Sequence, residues 1–412
     1  MKIVQKVEKI YNDYKILGEW FNKFSTVGRQ KTGGVTRLAY SSEEDEMHRI
    51  FKDISEDLGF AVETDGVGNT FVGLQKNKNK RCYLIGSHLD SVPNGGIYDG
   101  VLGVIGGLLI LKWIKDNNID IPVKVVAFRC EESSAFGKAT IGSGLVTGKV
   151  KEEELCNFKN KKGESLKDIL KSKGFLTKSY KLGELEGYIE IHIEQGRVLW
   201  DKNIELGIVT SIAAPKRFKL SIYGRQDHSG ATPMMMRKDA LSTASEVILE
   251  IEKLGRVESI YSTVATVGEI YETPNALNVV PGFVELGIDI RGIESKSINR
   301  VVSELKNSIK RITDKRGLNY KLTMTSSSEP VKLDDTIVKG LKRSSEKLKL
   351  SCIEMPSGAG HDAMEFADIT KTGMVFIPCR EGISHNPKEN ASLKQLYNAC
   401  KIVCEYLKEV SL

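Results

Sequence analysis

The sequence predicts an α/β protein in which a mostly parallel sheet flanked by helices is interrupted by an inserted ferredoxin-like α+β domain. Three observations carry this expectation. Short apolar runs with strand character alternate with helical segments over the first part of the chain. Residues 212–328 read in the order β-α-β-β-α-β, the split ferredoxin-like unit. A length of 412 residues favours two or more domains. The boundaries follow as 1–211 with 329–412 for the main domain and 212–328 for the insert.

From Met1 to about Phe60 the apolar residues recur at helical spacing, and Ser41-Ser-Glu-Glu44 ahead of Met47, Ile50, Phe51 and Ile54 supplies an N-cap and an acidic first turn. His48, at the end of the charged stretch Ser-Ser-Glu-Glu-Asp-Glu-Met-His, reads as an ordinary surface histidine. Strands are predicted at 60–64, 69–73, 82–86 and 123–128, with a helix over 101–116. Strands separated by helices imply parallel pairing, with ligands taken at the carboxyl ends. His88, Asp90, Glu131 and Glu132 directly follow such strands. The insert reads as strand 217–223, helix 235–254, strands 263–269 and 283–290, helix 298–314 and strand 319–325. The chain then returns to the main domain, where the last two histidines lie.

Sixty basic against 54 acidic residues leave a net charge of +6, spread through amphipathic helices and turns such as Lys76-Asn-Lys-Asn-Lys-Arg81. Such a run reads as a solvated face, so no nucleic-acid partner is expected. Seven dispersed cysteines, an odd number without a C-x-x-C pair, point to reduced thiols and a cytoplasmic setting. The N-terminal residues mix charged and apolar types without a signal-peptide apolar block, and Val101–Trp113 is too short and glycine-rich to span a bilayer. No membrane role is expected.

Five of the six histidines fall in short polar clusters, most with a carboxylate. The clusters are Gly86-Ser-His88-Leu-Asp90 with Tyr98-Asp99-Gly100, Glu131-Glu132, Ile191-His192-Ile-Glu-Gln195, Asp227-His228-Ser-Gly, Gly360-His361-Asp362 and Ser384-His385-Asn-Pro. A hydrolytic two-metal site needs two ions about 3.5–4 Å apart, a bridging carboxylate and a water whose pKa falls from 15.7 towards about 7. His88, Asp99, Glu132, His192 and His385 supply three imidazoles and two carboxylates, a mixture that suits zinc and its first-row neighbours. Each motif alone is weak; together they read as a two-metal hydrolase.

The order Gly-Ser-His88-Leu-Asp90-Ser-Val-Pro, Tyr98-Asp99-Gly, Glu131-Glu132, a later histidine and Ser-His385-Asn-Pro resembles the dinuclear zinc amidohydrolases related to aminoacylases and glutamate carboxypeptidases. The resemblance runs from about Asp45 to the end. Ile191-His192-Ile-Glu-Gln195-Gly, Asp-His228-Ser-Gly-Ala-Thr-Pro-Met and Ser-Gly-Ala-Gly-His361-Asp362-Ala are similar to the N-carbamoyl-L-amino-acid hydrolase and allantoate amidohydrolase group. The resemblance implies two divalent ions (zinc, manganese or cobalt) bridged by Asp99, one completed by His88 and His192, the other by Glu132 and His385. It implies Glu131 as general base, Asp90 as the partner orienting His88, and scaffolding roles for His361 and Asp362. His228, from the insert, would reach the substrate carbonyl; the bland alternative is a turn histidine with Ser229 and Thr232 as helix-cap candidates. Arg291 suits a substrate carboxylate, unless it merely pairs with Asp289 two residues away. Gln195 and Asn278 would hold the carbamoyl and carboxylate ends.

The implied reaction is hydrolysis of the terminal ureido amide of an N-carbamoyl-L-amino acid. Allantoate hydrolysis, β-ureidopropionase or acylase and dipeptidase activity on the same scaffold, and a metal-free binding protein stand as alternatives. The expected partner is a small ureido acid, and the resemblance implies a homodimer through the insert.

Overall fold

The computed structural model describes residues 2–75, 80–178 and 182–411, with side chains from 12 onward. The lysine-rich run at 76–79 lies outside the described residues. Two compact units emerge: Met1–Thr210 with Leu333–Leu412, and Ser211–Lys332.

The strands of the first unit are β1 (Ala61–Thr64), β2 (Thr70–Gly73), β3 (Cys82–His88), β4 (Val123–Phe128), β5 (Leu185–Ile193) and β6 (Leu206–Ile212), the last reaching the boundary with the second unit. Those of the second are β7 (Ala214–Tyr223), β8 (Asp227–His228), β9 (Val264–Thr273), β10 (Val279–Val280), β11 (Phe283–Gly292), β12 (Asn319–Ser327) and β13 (Val331–Lys332); β14 (Cys352–Ser357) and β15 (Thr372–Ile377) follow on the return. The main sheet runs β1-β2-β4-β3-β5-β15-β6, with β14 beside β6. Its centre, β4, β3, β5 and β15, is parallel. The flanks β1–β2, β2–β4 and β15–β6 are antiparallel. The five residues between β1 and β2 are too few for a crossover helix, which is why that edge departs from the parallel expectation.

All seven residues of β3 and all six of β15 are buried, as expected of parallel strands covered on both faces. The helix Val101–Asp116 is buried along almost its whole length against β3, β4 and β5. It approaches closely because Gly103 carries no side chain: a Cβ there would sit 2.3 Å from the Ile191 carbonyl. Each fully buried aliphatic side chain in such a layer contributes roughly 1.5–3 kcal/mol.

The N-terminal stretch is two helices, Lys2–Ser25 and Ser42–Asp57, rather than one continuous helical region. Residues 26–41 between them hold a bridge from Arg29 to Val35, around Gly33 and Gly34. Ser41 caps the second helix by accepting the Glu44 N–H. The surface reading of His48 is overturned. It is 1% exposed, and its Nδ1 lies 2.9 Å from Thr70 Oγ1 on β2. The reason is periodicity: Glu44, His48, Phe51 and Ser55 share the inward helix face.

In the second unit the antiparallel sheet β12-β7-β11-β9 gives the insert's strands the order 4-1-3-2. Burial alternates residue by residue along β11, and Val284, Leu286, Ile288 and Ile290 pack with Leu220, Val247, Ile251, Val301, Leu305 and Ile309 from β7 and the helices Ala240–Glu258 and Ser295–Arg316. No helix among the described residues is long and apolar enough to cross a membrane. No disulfide links any of the seven cysteines, all of which are described.

Candidate metal centre

The parallel strands of the main sheet all finish at one edge, and the polar clusters of the first unit follow from that. β3 ends on His88, beside Phe128 at the end of β4. His192 sits near the end of β5 beside Phe376 of β15. Tyr98–Gly100 precede the buried helix, and Arg129–Glu132 leave β4. Cys130, Gln195 and His385 all adopt positive φ (56°, 58° and 54°), a conformation that costs about a kcal/mol or more for a non-glycine residue and is kept where the surroundings enforce it.

His88, Asp99 and His192 each offer a ligand atom within 4.8 Å of the others, and so do Asp99, Glu132 and His385. Asp99 divides its oxygens between the two sets. Oδ1 lies 2.9 Å from His192 Nε2 and 3.4 Å from His88 Nε2, while Oδ2 lies 3.4 Å from His385 Nε2. His385 Nε2 is also 3.2 Å from Glu132. On the far side of each buried imidazole, Nδ1 faces a backbone carbonyl: Asp90 at 3.2 Å for His88, Ile193 at 2.9 Å for His192. A proton on Nδ1 leaves each Nε2 lone pair facing inward. Asp99 Oδ1 and His192 Nε2 are buried without a hydrogen-bond partner among the described residues, although they lie only 2.9 Å apart. Unpartnered atoms and this imidazole and carboxylate set fit a divalent cation.

These groups also compensate one another's charge. Burial opposes ionisation of Asp99, yet the His192, His385 and His88 imidazoles hold its carboxyl well below the ordinary range. His385 is pushed up to about 11 by its contacts with Asp99 and Glu132. Burial raises the Glu131 carboxyl well above its usual value, against the pull of His88. Glu131 Oε2 lies 3.8 Å from His88 Nε2.

The Asp90 carboxylate, 3.5 Å from His88 Nδ1, accepts the backbone N–H of Glu131 at 3.1 Å and of Glu132 at 3.0 Å. A solvated helix start is therefore excluded for the paired glutamates, which are buried and held at the backbone. From behind, Glu44 accepts the N–H of Cys130 at 3.2 Å and of Tyr40 at 2.6 Å, and pairs with Arg129 at 2.7 Å. Gln195 donates from Nε2 to Asp99 Oδ2 at 2.8 Å.

His361 and Asp362 lie beneath this layer. His361 Nε2 is 2.8 Å from the Ser357 hydroxyl, its ring meets His192 edge-on, and Ser143 donates to Asp362. A further set, Glu190 with His192 and His361, also falls within ligand spacing. Each Glu190 oxygen accepts one hydrogen bond, from the Ser87 hydroxyl at 2.7 Å and from the Ala363 N–H at 2.9 Å.

The remaining candidates belong to the second unit. His228 Nδ1 accepts the N–H of Gly230 at 3.0 Å and of Ala231 at 3.2 Å, which places the ring proton on the exposed Nε2. Neither Ser229 nor Thr232 caps the following helix; Asp239 does. Asn278 lies beside His228, its carbonyl accepting the Ser229 N–H at 3.0 Å. Arg291 pairs bidentately with Asp289 at 2.8 and 3.0 Å, and Arg217 joins them at 2.9 Å.

Glu44, Arg129, Glu190 and Glu389 play no part in the sequence reading of the site. For Glu190 a signal exists, since Glu190 and His192 alternate with Ile189, Ile191 and Ile193 along β5 and Glu194 follows directly. Glu389 accepts from Tyr98, Asp99 and Ser384, contacts about 290 residues apart for the first two that no local pattern announces.

Residues 84–409 match the sequence model of Peptidase family M20/M25/M40. The chain belongs to this family, whose members are metal-dependent enzymes, and it is a hydrolase. It is 37% identical over 390 residues to the N-carbamoyl-L-amino-acid amidohydrolase of Pseudomonas sp. (strain NS671), covering 92% of this chain and 94% of that one. With the allantoate amidohydrolase of Escherichia coli K12 it shares 32% over 400 residues, covering 95% and 96%. The structure superposes on a hydantoinase/carbamoylase family amidase from Burkholderia multivorans with a TM-score of 0.89 at 29% identity, over 96% of this chain and 97% of that one.

Proposed function

We propose that the protein hydrolyses the terminal ureido C–N bond of an N-carbamoyl-L-amino acid, giving the amino acid, carbon dioxide and ammonia. The reading rests above all on Asp99, whose two oxygens face two separate ligand sets beside the Glu131 carboxylate. His88 and His192 would hold one ion with Asp99, and Glu132 and His385 the other, the ions being zinc, manganese or cobalt. Such ions, when bound, polarise a carbonyl and bring the pKa of water from 15.7 towards about 7.

Glu131 takes the proton of the attacking water and passes it to the leaving nitrogen, fixed in place by Asp90 through its backbone N–H. His228 donates its Nε2–H to the developing oxyanion. Gln195 and Asn278 contact the ureido and carboxylate ends. Arg291 spends two donors on Asp289 and keeps three of its five N–H groups for a substrate carboxylate.

A homodimer and a cytoplasmic setting belong to the same reading. His228 and Asn278 lie beyond the Tyr223–Phe283 end of the β7–β11 pair, whereas Arg291 is at the other end, eight residues or about 26 Å along the strand. That separation supports a shared site in which one chain supplies Arg291 and its partner supplies His228. Similarity to carbamoylases and allantoate hydrolases alike supports ureido chemistry.

Glu131→Gln tests the mechanism: it should retain two ions and lose about 10²–10⁴-fold in turnover. Near-wild-type turnover would defeat the role given to Glu131.

A further inference from the structure

The second ligand set is assembled from segments far apart in the chain: Asp99 before the buried helix, Glu132 after β4, and His385 near the C-terminus. The two histidines of the first set are on strand ends, each with its Nδ1 against a backbone carbonyl. His385 is different. Its side chain is 47% exposed, it lies in an irregular loop, and no hydrogen bond holds its Nδ1 among the described residues. Something else must fix the distance between its loop and Asp99.

Glu389 does this. Its carboxylate is buried, and Oε1 accepts the backbone N–H of Tyr98 at 2.9 Å and of Asp99 at 3.1 Å. Oε2 accepts the Ser384 hydroxyl at 3.1 Å. One oxygen thus grips the backbone that carries Asp99, and the other grips the residue before His385. The Ser384 hydroxyl also lies 3.1 Å from Asp99 Oδ2, and its single proton serves only one acceptor at a time. An ion drawing on Asp99 Oδ2 would send that proton to Glu389 and tighten the clasp. Gly96 completes the seat, because a Cβ there would fall 2.0 Å from the Glu389 carboxyl carbon.

We infer that Glu389 is a positioning residue that clasps the Asp99 and His385 loops together, and so sets the affinity of the second ion site, which draws on both loops, more than that of the first, which shares only Asp99. The inference rests on the two-ion reading above. Partners of this kind typically alter metal affinity by about 10–100-fold.

The test is equilibrium dialysis of the full chain, stripped by chelator, against Zn²⁺ or Mn²⁺, with apoprotein melting temperatures alongside. Glu389→Gln should weaken one of two sites at least about tenfold, weaken the other clearly less, and lower kcat more than it changes KM. Gly96→Ala, which pushes the carboxylate out of its seat with Glu389 intact, should reproduce the loss. Ser384→Ala, removing a single contact, should give a smaller loss in the same site. Equal weakening of both sites, or of neither, overturns the inference, as does a Gly96→Ala protein that binds like wild type. If Glu389→Gln fails to fold, Gly96→Ala and Ser384→Ala decide alone. Wild-type protein that binds two ions but releases no ammonia from ureido acids would defeat the proposed substrate and leave the clasp standing.

Discussion

Asp90 and Glu131 are joined by one hydrogen bond, the Glu131 N–H donating to Asp90 Oδ1 at 3.1 Å, and the same carboxylate lies 3.5 Å from His88 Nδ1. The proposed base and a proposed ion ligand are therefore aligned by one side chain. Asp90→Asn keeps the shape, but its amide group would face one of the two N–H donors now satisfied. We expect metal affinity about 10–100-fold weaker and turnover reduced further, measured by dialysis and steady-state kinetics. Unchanged metal affinity would contradict the alignment.

His228 accepts two backbone N–H groups at Nδ1, so its Nε2–H is preset as a donor. His228→Ala should lower kcat by about 10²–10³, the equivalent of about 2.7–4 kcal/mol, while both ions stay bound. Mixing an inactive His228→Ala chain with an inactive Glu131→Gln chain tests sharing between subunits: partial recovery of activity is the outcome expected of a partner-supplied histidine.

His48 is held well below its usual pKa, by burial first and then by the charges of Arg129 and Lys52. The unfolded chain binds a proton at about 6.5 and the folded chain does not, so folded stability is lost as pH falls below that value, by up to about 1.4 kcal/mol per pH unit. His48→Gln removes the titrating group. The metal-free wild type should lose more melting temperature between pH 7.5 and 5 than this variant. Parallel curves would show that His48 does not carry the acid sensitivity.

Strand-end position made much of the site legible. His88, Glu131 and Glu132 follow apolar runs whose ends a parallel sheet brings to one edge, and the insert's long elements, β7, a helix, β9, β11, a helix and β12, follow the β-α-β-β-α-β order. What stayed hidden depends on partners distant in sequence. His48 and Glu44 sit in a run of charges that reads as solvent-facing, and the Arg129 that makes Glu44 burial tolerable lies 85 residues away. The same holds for Glu389. Arg291 shows the reverse case: its local partner Asp289, two residues off, was visible in the sequence and is engaged in the structure.

The most direct test of the central claim is ammonia release by zinc- or manganese-loaded protein from N-carbamoyl-L-methionine, its D-isomer and allantoate at matched concentrations. We predict turnover of the L-compound, with the D-isomer inert and allantoate slower. Turnover of allantoate alone would contradict the amino-acid assignment, and no ammonia from any of the three would contradict ureido hydrolysis itself.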